Sequence, residues 1–284
     1  MIARYAGGES GARRAARAGS VVVVVDAFRA STTIAVLVSK GARIVPVASV
    51  EGAAAAETDF RIGERGSAKV AGFDFGNSPT EILGSEIPPG STVALSTTNG
   101  TRVLEAARGA STILTGAFVN ASILAEELAS GTYDGDEVVV VGCGWEGHRA
   151  SEDEAAAGAI LHRLHSRGAQ LDVRARRVVE VYLSRSVGTL RNNSAARRLK
   201  RLGYEGDLEF CLAEDTVPVV PRLVGGTFVG LIAGSQRPRA DLRPGGQHKK
   251  PGFLLDKGMA RHYPGVSEGG SNVTSSVESA TGRR

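Results

Sequence analysis

An unbroken run of valines constrains the fold of this chain most strongly. Residues 20–26 read SVVVVVD, and residues 137–144 read EVVVVGCG. β-Branched runs without polar alternation are typical of strands buried on both faces, as in parallel sheets covered by helices. Helix-like segments alternate with further strand-like segments along the chain. This pattern predicts a layered α/β/α fold with a largely parallel or mixed central sheet.

The two ends of the chain differ in composition from its middle. Residues 234–284 are rich in Pro, Gly, Ser and charge and lack apolar periodicity, so we expect a disordered basic tail there. Residues 1–19 contain no long apolar run, and we expect them to form a flexible N-terminal segment. The sequence therefore predicts one folded domain over residues 20–233.

Composition and charge favour a cytoplasmic protein that binds neither nucleic acid nor membrane. No apolar segment approaches the roughly 20 residues needed to span a bilayer, and two cysteines cannot build a disulfide framework. The formal net charge is +4, but the basic excess lies at the two ends, which argues against a nucleic-acid-binding core. The basic cluster ARRLKR at 196–201 is interpreted as a solvated helix face. A homodimer is compatible with the sequence, although no motif indicates one.

Polar residues follow several predicted strands, at the edge where parallel α/β sheets bind ligands. The side chains of interest are Asp26, Arg29, Ser31 and Thr32 after one strand, the row STTNGTR (Ser96–Arg102) after another, Glu152 and Asp153 after a third, and Glu64, Arg65, Asn77 and Ser78 in an intervening segment. Arginine forks match phosphate or sulfonate oxygens, and hydroxyls complement them. Carboxylates beside an anion require a hard cation such as Mg²⁺ between them. The combination indicates metal-assisted phosphoryl chemistry.

The same residues also have structural explanations. Asn-Gly is a strong turn pair, so STTNGTR is compatible with a simple turn. Asp26 is compatible with a helix cap, and Ser151 with Glu154 fits an S-x-x-E capping box. Acidic residues in a first helical turn also stabilise the helix dipole.

A cysteine nucleophile is a further alternative. Cys143 and Arg149 have the C-x5-R spacing of cysteine phosphatases. However, Glu146 falls inside the loop that would hold the phosphate, and Gly142 replaces the usual preceding histidine. A small buried core cysteine therefore explains Cys143 better.

Seven strings, in this order, resemble the 2-phosphosulfolactate phosphatase (ComB-like) family. They read VVVDAFRASTTIAVLVSKGA, GERG, GFDFGNSPTE, LSTTNGTR, GAFVNA, SEDEAAAGAI and LGYEGDLEFCLAEDTVPVV, and they span about Val21 to Pro221. The resemblance implies that residues 20–233 are a ComB-like, Mg²⁺-dependent phosphatase domain. Its implied reaction converts (R)-2-phospho-3-sulfolactate to sulfolactate and phosphate, on a route to coenzyme M. Another small phosphorylated acid is an alternative substrate.

Candidate roles follow from the resemblance and the strand-end positions together. The candidate catalytic residues are Asp26, Arg29 and Arg102, and the candidate metal ligands are Asp26, Glu64 and Asp153. The candidate substrate-binding residues are Ser31, Thr32, Arg65, Asn77, Ser78, Thr97, Thr98, Asn99 and Thr101. Asp26 either binds the metal or is a covalent nucleophile. The alternative in another class is a non-catalytic protein that binds a small phosphate or sulfonate anion, which metal-dependent turnover would exclude.

Overall fold

The computed structural model describes residues 1–133, 136–185 and 187–231. Its strands are β1 (Ile2–Gly7), β2 (Val21–Val25), β3 (Arg43–Pro46), β4 (Phe60–Arg65), β5 (Ala68–Lys69), β6 (Thr92–Ser96), β7 (Thr112–Thr115), β8 (Glu137–Gly142), β9 (Gln170–Leu171), β10 (Val220–Val224) and β11 (Thr227–Leu231). Its helices are α1 (Gly8–Arg17), α2 (Ala30–Ser39), α3 (Val50–Ala55), α4 (Pro79–Gly84), α5 (Gly100–Ala106), α6 (Ala121–Leu128), α7 (Ser151–Ser166), α8 (Val173–Ser184), α9 (Val187–Leu190), α10 (Ser194–Arg201) and α11 (Glu205–Leu212).

The strands pair into a mixed sheet in the order β5-β4-β6-β3-β11-β10-β7-β2-β8-β1-β9. The valine-rich β2 lies inside this sheet and pairs in parallel with β7 and β8. The antiparallel pair β10–β11 joins β7 to β3 and makes the sheet mixed. The predicted α/β class is therefore confirmed.

The valines of β2 explain the layering, because successive side chains point to opposite faces of a strand. Val21, Val23 and Val25 pack in one buried cluster with residues of α6, α7 and α8. Val22 and Val24 pack in a second cluster with residues of α1, α2 and α5. Both faces of β2 are thus covered by helices, which gives the α/β/α arrangement.

The N-terminal segment corrects a prediction, because residues 1–19 are not a flexible extension. The strand β1 pairs in parallel with β8 over its whole length, and α1 buries Gly11, Ala12, Ala15 and Ala16. Small residues supply this buried face, so the segment lacks the large apolar residues that usually reveal a packed helix. The folded domain therefore includes the N-terminus rather than beginning at residue 20.

Two further expectations concern the C-terminal tail and membrane-spanning helices. The proposed tail, residues 234–284, lies outside the described residues. Within the described ranges, no helix combines the length and the apolar character that a membrane crossing requires.

Candidate active site

A small polar cleft lies beyond the carboxyl ends of β2, β4 and β8, and we call it the acidic cleft. The ionisable residues that line it are Asp26, Arg29, Glu64, Glu152, Asp153 and Arg198, and Asn77, Asn99 and Trp145 lie among them. The strand-end argument therefore brings together four carboxylates from three separate segments. Because like charges in one confined site repel each other, a proton or a bound cation is needed to reduce the repulsion between these carboxylates.

Asp26 follows β2 directly and occupies the cleft with one free carboxylate oxygen. Its Oδ1 accepts a long hydrogen bond from the Ala30 N–H at 3.4 Å, whereas Oδ2 has no hydrogen-bond donor within the described part of the chain. Burial, and then the negative charge of Glu64, raises the pKa of Asp26 to about 7. In the absence of a cation, this carboxyl group is therefore partly protonated at neutral pH.

The row STTNGTR is not an idle turn, because it brings α5 against Asp26. The helix α5 packs Val103 and Leu104 in the same cluster as Val22 and Val24 of β2, which sets its first residue beside the end of that strand. A Cβ atom on Gly100 would lie 2.9 Å from Asp26 Oδ2. Only glycine permits this approach without displacing the carboxylate or the helix.

Gly100→Ala is therefore expected to lower turnover at the acidic cleft by about 10- to 100-fold, because the added Cβ would displace the Asp26 carboxylate and a misplacement of about 1 Å in an active site is that costly. The helix itself should tolerate the change, because alanine favours helix over glycine. Gly84→Ala is the matched control, since its added Cβ would meet no atom within 4 Å. Steady-state rates with circular dichroism check this, and equal activity of the two variants would contradict it.

Glu64 and Asp153 fix the loops around Asp26. Glu64 accepts the Thr98 N–H at 2.6 Å through Oε1 and the Ser67 N–H at 2.7 Å through Oε2. Asp153 accepts the Ala27 N–H and the Gly144 N–H, each at 2.8 Å. Each carboxylate thus ties two separate backbone segments together at the cleft.

Burial, followed by the charges of Asp26 and Glu152, raises the pKa of Asp153 well above its usual range. Glu152 lies beside it, and burial also raises the pKa of Glu152. Glu152 Oε2 accepts a hydrogen bond from Asn193 Nδ2 at 2.7 Å, while Oε1 has no protein donor among the described residues. Sequence reasoning placed Glu152 at this helix end but gave it no ligand role.

The interpretation of Ser151 and Glu154 as a capping box is wrong. The residue that caps α7 is Ala150, so Ser151 already lies inside the helix. Glu154 accepts a hydrogen bond from Arg149 Nε instead of reaching back to the helix start. The acidic first turn is therefore free to face the cleft.

Asn77 supplies a polar atom without a partner. The residue is 4% exposed, and its Oδ1 accepts no hydrogen bond from any described residue. Leaving a buried acceptor unsatisfied costs about 1–3 kcal/mol, so this oxygen is suited to a cation or to a hydroxyl of a bound molecule. In the same cleft, Asp26 and Glu152 accept their hydrogen bonds through Oδ1 and Oε2, which leaves the other oxygen of each carboxylate for a ligand.

These oxygens fit a hard divalent cation in their chemistry. The described residues hold no ready-made group of three or more His, Cys, Asp or Glu side chains that could bind a metal ion. Asp26, Glu64 and Asp153 therefore do not form a preassembled three-carboxylate site. Mg²⁺ does not require one, because it usually binds one or two carboxylates and keeps several waters.

Arg29 lies in the wall of the cleft, but its guanidinium is already hydrogen-bonded to other residues of the protein. It is 2% exposed, its Nη1 donates to Asp207 Oδ2 at 2.7 Å, and its Nη2 donates to the Ser67 carbonyl at 2.7 Å. The guanidinium also lies 4.2 Å from the centre of the Tyr204 ring. Asp207 is equally buried and additionally accepts from Ser78 Oγ at 2.8 Å. This buried ion pair closes one side of the site, and sequence reasoning assigned Asp207 no role.

Several predicted substrate-binding hydroxyls bond within the protein instead. These are the side chains of Ser31, Thr32, Ser78, Thr97 and Thr101. Ser31 Oγ, for example, accepts the Asp26 N–H at 2.8 Å and so orients that residue. They are buried supports of the loops, and none of them lines the acidic cleft.

Two predicted arginines lie away from the acidic cleft. Arg65 is exposed and donates to Ser96 Oγ at 3.0 Å. The Arg102 side chain is 62% exposed and pairs with Glu9 at 3.2 Å. Arg102 instead lines a neighbouring cavity of about 350 Å³. Asn99 lies between the two spaces, and its Oδ1 accepts the Glu146 N–H at 3.1 Å.

Cys143 does not have the environment of a nucleophile. Burial, followed by the negative charges of Asp26 and Asp153, raises the pKa of its thiol well above the usual range. Reactive cysteines need positive surroundings that stabilise the thiolate. Arg149 does not provide them, since its exposed side chain pairs with Glu154. The surroundings of Cys143 and Arg149 therefore do not support a phosphate-binding C-x5-R loop.

Cys143→Ser is accordingly expected to keep activity within about 3-fold of wild type, because the thiolate is the species that cysteine catalysis requires. Cys211→Ser is the matched control, since Cys211 is also buried and shares the packing cost. Phosphate release measured on both variants checks this, and loss of turnover in the Cys143 variant alone would contradict it.

Comparisons with known proteins identify the family of this chain. A family model described as 2-phosphosulpholactate phosphatase matches residues 10–226. A probable 2-phosphosulfolactate phosphatase of Gloeobacter violaceus is 41% identical over 207 residues, which cover 70% of this chain and 86% of that relative. A relative with the same name from Thermotoga petrophila is 37% identical over 211 residues, covering 73% of this chain and 90% of that protein. This chain belongs to the 2-phosphosulfolactate phosphatase family.

Proposed function

We propose that this protein is a Mg²⁺-dependent phosphatase that hydrolyses a small phosphorylated acid, with 2-phosphosulfolactate as the first candidate. One observation carries the proposal. Asp26, Glu152 and Asn77 line one cleft. Asn77 Oδ1 is a buried acceptor without a partner among the described residues, and the hydrogen bonds that Asp26 and Glu152 accept go to Oδ1 and Oε2, respectively. Family membership supports the reaction class. Sulfolactate as the product would place the reaction on a route to coenzyme M, as the resemblance implies.

Asp26, Glu152 and Asn77 are the residues that would hold the cation. When bound, Mg²⁺ would neutralise charge on the phosphoryl oxygens and favour the unprotonated form of nearby carboxylates. This ligand set replaces the predicted set of Asp26, Glu64 and Asp153. Glu64 and Asp153 hold backbone N–H groups with both oxygens, so we assign them to loop positioning instead.

Asp26 is the group that we propose acts on the reacting atoms. The Asp26 carboxylate, through the oxygen that does not hold the cation, accepts a proton from the water that attacks phosphorus, while the ester P–O bond breaks and the departing alkoxide takes up a proton from solvent. Direct attack by the Asp26 carboxylate is the alternative route, and it too requires the unprotonated group. Arg29 holds Asp207 and the Ser67 carbonyl in place and thereby keeps the cleft wall closed.

Phosphate release from a panel of small phosphate esters, with Mg²⁺ and with EDTA, tests this function. We expect the highest kcat/KM for 2-phosphosulfolactate, a loss of about 100-fold or more with EDTA, and recovery when Mg²⁺ is restored. Release that resists EDTA would contradict the metal requirement. Saturable binding of phosphate or sulfolactate without turnover of any ester would favour the non-catalytic alternative.

A further inference from the structure

One arginine of the basic cluster at 196–201 does not belong to the solvated helix face that we expect there. Arg197, Lys200 and Arg201 are exposed on α10, as predicted. Arg198 is partly buried and lines the acidic cleft. A single helix thus carries three solvated cations and one cation directed to the candidate active site.

Two contacts fix the guanidinium of Arg198. Its Nε donates to Ser67 Oγ at 2.9 Å, and its central carbon lies 3.7 Å from the centre of the Trp145 ring. Trp145 is itself held by reciprocal backbone hydrogen bonds with His148, of 2.9 and 2.8 Å. A stacked arginine with its Nε engaged loses little further entropy when its remaining donors bind a ligand.

The remaining donors of Arg198 are unused. Within the described ranges, neither Nη group forms a hydrogen bond with the protein, and the guanidinium forms no salt bridge with any carboxylate of the cleft. Arg29 differs in this respect, because both of its Nη groups are engaged by Asp207 and Ser67. Arg198 is therefore the cation of this cleft that can present a free two-pronged fork to an oxyanion.

We propose that Arg198, supported by Trp145, forms an oxyanion-binding subsite for the phosphoryl or sulfonyl group of a small acid. This subsite rests on the proposed function in that its ligand is the substrate of the same cleft. The free Nη groups bind two oxygens of the tetrahedral anion, while Ser67 and Trp145 hold the guanidinium in orientation. The carboxylates of the cleft would lie near the same ligand, and Mg²⁺, when bound, would reduce the repulsion between them and the anion.

Trp145 makes the subsite directly measurable, because it is the only tryptophan in the sequence. Its fluorescence can be titrated with inorganic phosphate and, separately, with sulfolactate, both in the presence of Mg²⁺. We expect a saturable change for wild type and a Kd raised by about 10- to 100-fold in Arg198→Gln, the size of a lost charged hydrogen-bond pair. Arg198→Lys should recover part of the affinity, since it keeps the charge without the fork.

Arg201→Gln is the matched control, because it removes an exposed arginine one turn further along the same helix. Its Kd values should equal those of wild type. Equal Kd values for Arg198→Gln and wild type with both anions would overturn the subsite, as would an equally large effect of Arg201→Gln. Thermal melts of Arg198→Gln and Arg198→Lys verify that both variants are folded.

Kinetics identify which oxyanion Arg198 binds. If it binds the sulfonate, Arg198→Gln should raise KM for 2-phosphosulfolactate but not for 2-phospholactate, which lacks that group. If it binds the phosphoryl group, KM should rise for both esters. Turnover that is indifferent to Arg198 would overturn the subsite and leave the phosphatase function intact. Arg198-dependent anion binding without turnover of any ester would support the subsite and contradict the phosphatase function.

Discussion

Asp26→Asn is expected to lower kcat for phosphate release by about 10³-fold or more, without loss of the fold. Asparagine keeps the size of the side chain but can neither accept a proton from water nor attack phosphorus. The matched control is Asp59→Asn, because Asp59 is exposed and its carboxylate bonds Thr92, outside the acidic cleft. Initial rates of the two variants check this prediction. Comparable rates for wild type and Asp26→Asn would contradict the role of Asp26.

The same replacement is expected to stabilise the metal-free protein at about pH 8. In the folded state the pKa of Asp26 is raised from 3.8 to about 7, chiefly by burial and then by Glu64. The folded state therefore holds this proton more tightly than the unfolded chain. The resulting stability is fully present below pH 3.8 and is lost as the pH rises through about 7.

The asparagine side chain of Asp26→Asn cannot ionise, so the variant does not lose stability as the pH rises through about 7. Its free energy of unfolding at about pH 8 should therefore exceed the wild-type value by on the order of 2–4 kcal/mol. The difference should shrink toward about pH 4. Urea unfolding in EDTA at both pH values measures it. A variant less stable than wild type at the higher pH would show that ionisation of Asp26 does not destabilise the folded state.

Asp207→Ala is the second replacement with a large expected effect, on stability rather than on the chemical step. It leaves the guanidinium of Arg29 buried without its carboxylate partner, and the two side chains are only 2% and 0% exposed. Removing one member of a buried ion pair typically costs about 3–5 kcal/mol. The hydroxyl of Ser78 loses an acceptor at the same time. Denaturant unfolding should show a loss of this size.

Glu137→Ala is the control for Asp207→Ala, because it removes the carboxylate of a partly exposed ion pair with Arg4. Such pairs contribute about 1 kcal/mol or less. If the two variants lost equal stability, the ion pair of Arg29 and Asp207 would not be the buried support that its geometry indicates.

The fold could be predicted from the sequence where large apolar side chains in a regular pattern identify a buried strand or helix. β2 and β8 are the two valine runs, so their burial in a sheet covered by helices was predicted correctly. The N-terminal α1 was not recognised, because its buried face consists of glycine and alanine. Small residues pack a helix closely against a sheet but leave little hydrophobic pattern in the sequence.

The candidate site could be predicted where residues follow strand ends directly. Asp26 reaches the cleft because it follows β2 directly, and Asp153 reaches it from the first turn of the helix that follows β8, since parallel strands place their carboxyl ends at one edge. Arg198 and Asp207 were missed because their positions depend on contacts with Ser67 and Arg29, more than a hundred residues earlier in the chain. Nothing in the local sequence separates Arg198 from the exposed Arg197 beside it.

The most direct test is the initial rate of phosphate release from racemic 2-phosphosulfolactate in Mg²⁺, measured in parallel for wild type, Asp26→Asn and Cys143→Ser. The acidic cleft is the active site if wild type and Cys143→Ser release phosphate at similar rates while Asp26→Asn loses about 10³-fold. The opposite pattern, with Asp26→Asn active and Cys143→Ser inactive, would contradict it and move the chemistry to the neighbouring cavity that Cys143 lines.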